Sequence, residues 1–159
     1  MAFAAEEIGT RGSSYFVGDR LLDGWQMDAV INLDIVGGRP GIPQSLRVFS
    51  PPPESSGSRQ FARYMDFVGG LYMPTFRIDL QSTIDRPNRY SDHVPFLDAG
   101  ISAIRLTESV EDSGQQHNAF DVSERLDYNY LRTVTQLSLV TLANAAGAPA
   151  RPIAHVVAP

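Results

Sequence analysis

Four segments of the chain carry side chains able to do chemistry. Glu6 and Glu7 stand side by side between a short apolar stretch and the glycine-punctuated run Ile8-Gly9-Thr10-Arg11-Gly12-Ser13. Adjacent side chains on an extended segment point to opposite faces, so one could bind a metal while the other faces a water. A solvated acidic loop is the plainer alternative. Asp34 interrupts the apolar run 29–36. An ionised carboxylate there needs a counter-charge or a metal, unless it lies at the strand's exposed end and caps a turn with Gly37-Gly38. His117 follows the polar turn Glu111-Asp112-Ser113-Gly114. Alone it reads as a surface histidine; with Glu7 and Asp34 it completes a carboxylate–imidazole set of the kind zinc takes. Ser91-Asp92-His93 is the other dense polar cluster. Three consecutive residues cannot form a nucleophile–base–orienter chain, which needs convergence from separate elements. Asp92 or His93 therefore either caps the helix that follows or supports a ligand from behind.

These residues need a scaffold, and the apolar pattern supplies one. Residues 2–5 read as the tail of a strand, and a helix is expected to start near Ser13 or Ser14. The β-branched run 29–36 reads as a buried parallel strand closed by Gly37-Gly38. Residues 46–49 form another strand, stopped by three prolines, and 54–58 a polar loop. Phe61, Tyr64, Met65 and Val68 fall on one helical face, with Gly69-Gly70 as the expected end. Residues 76–80 alternate as a half-buried strand, 94–99 suggest a short helix closed by Gly100, and 101–106 a further strand. Asp127 is the expected N-cap of a last helix running to about Ala146. Strands alternating with helices predict an α/β three-layer sandwich with a mostly parallel mixed sheet, whose chemistry gathers at the carboxyl ends of its strands. Residues 1–147 form the domain, and 148–159 an Ala/Pro-rich tail.

Composition narrows the chemistry. Among 159 residues there is no Cys, which excludes disulfides, thiolate metal sites and a cysteine nucleophile. All 13 basic residues are Arg, so Schiff-base and phosphate-loop lysines are excluded as well. A net charge of −5 without a basic run argues against a nucleic-acid or anionic-membrane surface. The first residues show neither a basic n-region nor a long apolar core, so no signal peptide is expected. The longest uncharged stretch, 133–150, is too polar for a membrane span, and a soluble chain is expected.

The order of the segments carries a resemblance. Phe3-Ala4-Ala5-Glu6-Glu7-Ile8-Gly9-Thr10-Arg11-Gly12-Ser13 resembles the F-x-x-E-E-x-G-x-x-G-S segment of the co-catalytic zinc exopeptidases, the family of bacterial aminopeptidases and glutamate carboxypeptidases. Asn32-Leu33-Asp34-Ile35-Val36-Gly37 resembles their N-x-D-x-x-G strand. Ser91-Asp92-His93-Val94-Pro95-Phe96 with Gly100-Ile101-Ser102-Ala103 is similar to S-D-H-x-x-F…G-I-P-A. His117-Asn118-Ala119-Phe120-Asp121 with Leu126-Asp127-Tyr128 is similar to H-x-x-x-D…L-D-Y. The resemblance implies Glu6 as the general base toward a metal-bound water, Glu7 and His117 as ligands of one zinc and Asp34 as a ligand of the other. Asp92, His93, Gln116 and Asp121 are implied as supporting or substrate-side residues.

Two departures accompany it. Family members carry a His and a metal-bridging Asp in an H-x-D segment well before the Glu-Glu pair, and only five residues precede Glu6 here. Gln116 stands where many relatives have a Tyr, though its amide can still donate a hydrogen bond. A catalytic zinc usually keeps three protein ligands, so this chain is expected to bind zinc weakly or not at all and to be inactive alone. The resemblance thus implies the C-terminal portion of a peptide-hydrolysing domain that holds two zinc ions when complete, from a parent that is periplasmic or secreted. The alternatives are a glutaminyl-cyclase-like zinc acyltransferase and a non-catalytic binding domain of the same fold. A missing half would expose a sheet edge or apolar face, so self-association is expected.

Overall fold

The computed structural model describes residues 1–148; the tail expected at 148–159 lies, apart from Ala148, outside the described residues. The elements run α1 (Arg11–Leu22), β1 (Ala29–Leu33), β2 (Leu46–Phe49), α2 (Gly57–Tyr72), β3 (Ile78–Gln81), α3 (Val94–Asp98), β4 (Ser102–Glu108), a short 3-10 turn (Ser123–Arg125) and α4 (Tyr128–Ala146). The four strands form one mixed sheet in the order β1-β4-β2-β3. β1 is parallel to β4 and β2 to β3, while β2 runs antiparallel to β4.

Each sheet face carries its own core. On one side Leu46 and Val48 of β2 and Ile104 and Leu106 of β4 meet Ala62 and Met65 of α2 and Val134 and Leu137 of α4. On the other, Val17 of α1 and Phe96 of α3 pack with Ile101 and Ala103. Each fully buried Leu or Val contributes about 1.5–3 kcal/mol. Alternation along β4 sends Ile104 and Leu106 to the first face and Ala103 to the second, and Arg105 shares Ala103's side. The layers are helix, sheet, helix, as the sequence predicts. No helix among the described residues is long and apolar enough to cross a membrane.

Several boundaries differ from expectation, each for a local reason. Residues 2–5 form no strand. Their carbonyls are used by the start of α1, Gly12 donating to Ala4 at 3.0 Å and Arg11 to Ala5 at 3.2 Å. Ala5 also has a positive φ of 60°. α1 starts at Arg11 rather than Ser13 because Gly12 lets the Ala4 backbone approach; a Cβ there would strike the Ala4 carbonyl oxygen. β1 stops at Leu33, short of Val36, since Ile35 also adopts a positive φ of 60°. The loop expected at 54–58 ends early, because Ser56 caps α2 by accepting from the Arg59 amide at 3.2 Å. α2 also runs through Gly69-Gly70 to Tyr72. Gly69 is buried against β3 and α4, and serves close packing rather than termination. At the last helix the reading holds: Asp127 accepts from the amides of Asn129 at 2.9 Å and Tyr130 at 3.1 Å.

Candidate functional site

Loops leaving the carboxyl ends of β1 and β4 enclose a cavity of about 900 Å³. Glu6, Glu7, Asp34, Glu108, Gln116, His117 and Asp121 all line it. The fold thus gathers six of the eight residues singled out in the sequence. Asp34 follows β1 directly, where its amide donates to the Leu106 carbonyl at 3.2 Å and its carbonyl accepts from the Thr107 hydroxyl at 3.1 Å. These bonds fix the backbone of Asp34 against β4. Its carboxylate caps no turn; it lies 2.8 Å from the guanidinium of Arg105.

Glu7 and His117 come from opposite ends of the domain and meet at the cavity's mouth. Glu7 Oε1 is 3.2 Å from His117 Nδ1, and both side chains are more than half exposed. His117 has a positive φ of 60°, a strained backbone for a non-glycine residue, on the loop after β4. Glu6 is partly buried beside them. Burial raises its carboxyl pKa above the ordinary value, and the neighbouring carboxylates of Asp34, Glu7 and Asp92 add to the effect; a hydrogen bond with Ser91 opposes it.

Asp92 and His93 stand behind this layer and do not line the cavity. Neither caps α3 through its side chain. Asp92 accepts from the Ser13 hydroxyl at 2.7 Å, tying α3's approach to α1. His93 is completely buried, with Nε2 3.1 Å from the Ile84 carbonyl oxygen and Nδ1 without a partner. Contact with that carbonyl places the proton on Nε2. Gln116 and Asp121 face the cavity from the His117 loop.

The sequence reading missed an ionic chain behind Asp34. Arg105 bonds Asp34 and Asp85; Asp85 bonds Arg86; Arg86 bonds Glu111; Glu111 bonds Arg47. The side chains of Arg105 and Asp85 are 3% and 0% exposed. Glu108 was missed too: its Oε2 accepts from the buried Gly38 amide at 2.6 Å. The signal that flagged Asp34, a charge within an apolar strand, is present equally at Arg105.

Zinc takes nitrogen and oxygen donors from His, Asp and Glu. Glu7 and His117 are of the right chemical types and close together. The number falls short: among the described residues no group of three or more His, Asp or Glu side chains is arranged to hold a metal ion. Asp34, the third candidate, is paired with Arg105. The residues present do not make a complete zinc site.

The architecture itself has known counterparts. It superposes on a zinc aminopeptidase from Bacillus subtilis with a TM-score of 0.68 at 24% identity, covering 91% of this chain and 34% of that one. The LapA aminopeptidase of Legionella pneumophila gives 0.73 at 19% identity, covering 92% and 38%. The fold is therefore of the zinc-aminopeptidase type. The model of peptidase family M28 matches residues 1–142, and the chain belongs to that family of zinc metallopeptidases. A probable zinc metalloprotease of Pyricularia oryzae is 32% identical over 183 residues, covering 93% of this chain and 36% of that protein. Another, from Pyrenophora teres f. teres, is 30% identical over 185 residues, covering 95% and 38%. The chain spans between a third and two fifths of the length of these four proteins.

Proposed function

We propose that this domain is part of a zinc-dependent exopeptidase, an aminopeptidase, and that its cavity receives the end of a peptide. One observation supports this above all: Glu7 and His117, 110 residues apart in sequence, meet at 3.2 Å on a cavity that Glu6 and Asp34 also line. In this reading Glu6 is the general base. It accepts a proton from the attacking water and delivers it to the departing amine. Glu7 and His117 provide two of the three protein donors that a catalytic zinc usually takes. Gln116 offers an amide N–H toward the carbonyl oxygen of the scissile bond. Two donors are one too few, so the 159-residue chain alone is expected to hydrolyse no peptide.

The test is a chimaera in which this chain replaces the matched portion of the Bacillus subtilis aminopeptidase. Supplied with zinc, it should hydrolyse L-leucine p-nitroanilide, whereas the chain by itself should not. E6Q should lower the rate about a hundredfold or more, the range general-base removal produces. A folded, zinc-loaded chimaera that leaves both aminoacyl anilides and longer peptides intact would overturn the reading.

A further inference from the structure

Asp34, the further carboxylate of the donor set, is already engaged by a cation. In the β1–β4 register Asn32 sits opposite Arg105. Asp34 lies two residues beyond Asn32, and in an extended chain that spacing keeps the same face, within reach of a long side chain on the neighbouring strand. Arg105 reaches it at 2.8 Å. The arginine is not free to swing away. Its other arm bonds Asp85, whose side chain is completely buried, and Asp85 is held in turn by Arg86. From Asp34 to Arg47 the chain alternates three carboxylates with three guanidiniums, so its charges cancel with Asp34 included.

We infer that Arg105 is the resident counter-cation of Asp34 and holds this carboxylate out of metal binding in the 159-residue chain. A divalent ion then engages Glu7 and His117 only. A guanidinium at hydrogen-bond distance cancels the charge that would draw a metal to Asp34, whichever carboxylate oxygen the ion approaches. Displacing Arg105 would strand Asp85, a buried carboxylate, with one cation fewer. The inference rests on the reading of Glu7 and His117 as a metal pair, and the test separates the two.

The experiment is calorimetric titration of the full chain with Zn²⁺ and Co²⁺ at pH 7.5. Wild type should bind one ion weakly. H117A should lose it, and unchanged binding in H117A would defeat the metal-pair reading without touching Arg105. D34N should leave the affinity within twofold of wild type, and a tenfold or larger loss overturns the inference. The double variant D85N/R105Q releases Asp34 without leaving Asp85 charged. It should bind at least tenfold more tightly than wild type, or gain binding that wild type lacks, and the gain should vanish when D34N is added. Equal or weaker binding overturns the inference. A metal-free readout covers a double variant that does not fold: in nitrogen-15 NMR of wild type the Arg105 guanidinium should give a slowly exchanging signal that D34N shifts. A signal indifferent to D34N is the contrary result.

Discussion

The amide of Gly38 donates to Oε2 of Glu108 at 2.6 Å, joining the loop after β1 to the end of β4. Both residues are buried. This bond and the two backbone bonds of Asp34 hold one wall of the cavity.

Glu108 should respond oppositely to two substitutions. E108A leaves the Gly38 amide unsatisfied and should cost about 1–3 kcal/mol. E108Q keeps an acceptor and removes a charge. Burial raises the Glu108 pKa above the ordinary 4.5, so the folded state holds this proton more tightly than the unfolded chain. The stability contributed is fully present below 4.5 and is lost as pH rises through the folded pKa. E108Q should therefore equal or exceed wild type in stability at pH 7 and lose its advantage toward pH 4. Urea midpoints across that range decide it.

His93 gives the reverse dependence. Its complete burial lowers its pKa below 6.5, so the unfolded state binds the extra proton first. Stability is fully present above 6.5 and falls as pH drops, by at most about 1.4 kcal/mol per pH unit for one proton. H93Q retains an N–H for the Ile84 carbonyl and does not titrate, so its stability should fall less between pH 7 and 5. Chemical denaturation of both proteins checks this, and identical slopes would exclude His93 as the source.

Much of this was legible in the sequence, and what was not has a common cause. Local signals succeeded: the helical spacing of Phe61, Met65 and Val68 marked the core-facing side of α2, with Tyr64 half-buried at its margin, and Asp127 announced the start of α4. The order of the four polar segments brought Glu6, Glu7, Asp34 and His117 to one cavity. Partners set by strand register stayed hidden. Asn32 faces Arg105 only once β1 lies beside β4, and nothing near position 34 or 105 states that pairing. Residues 2–5 misled for a related reason: four apolar residues suggest a strand, but the carbonyls of Ala4 and Ala5 accept from the first turn of α1.

Gly69 and Gly70 looked alike as helix terminators and should behave differently. A Cβ at Gly69 would come within 2.5 Å of Ile78 Cδ1 and 3.5 Å of Leu137 Cδ1. Ile78 Cδ1 is the tip of a side chain that must shift to admit the methyl, and that shift offsets much of the roughly 1 kcal/mol gained in helix propensity. At Gly70 nothing lies within 4 Å, so G70A should gain about 0.5–1 kcal/mol. Thermal melts should show G70A more stable than G69A; an equal gain in both would contradict the packing at Gly69.

The Glu7–His117 contact should prove separable from folding. Both side chains are more than half exposed, and exposed pairs contribute about 0–1 kcal/mol. A merely structural contact would be tuned for burial or for several hydrogen bonds, and this one has neither. His117 also holds its position with a left-handed backbone, which has a conformational cost. H117G should therefore melt within a few degrees of wild type, since glycine relieves the strain while the lost pair removes little. Its binding of Zn²⁺ should be abolished. If H117G instead unfolds the domain, the pair serves the fold, and the functional reading of this loop loses its main support.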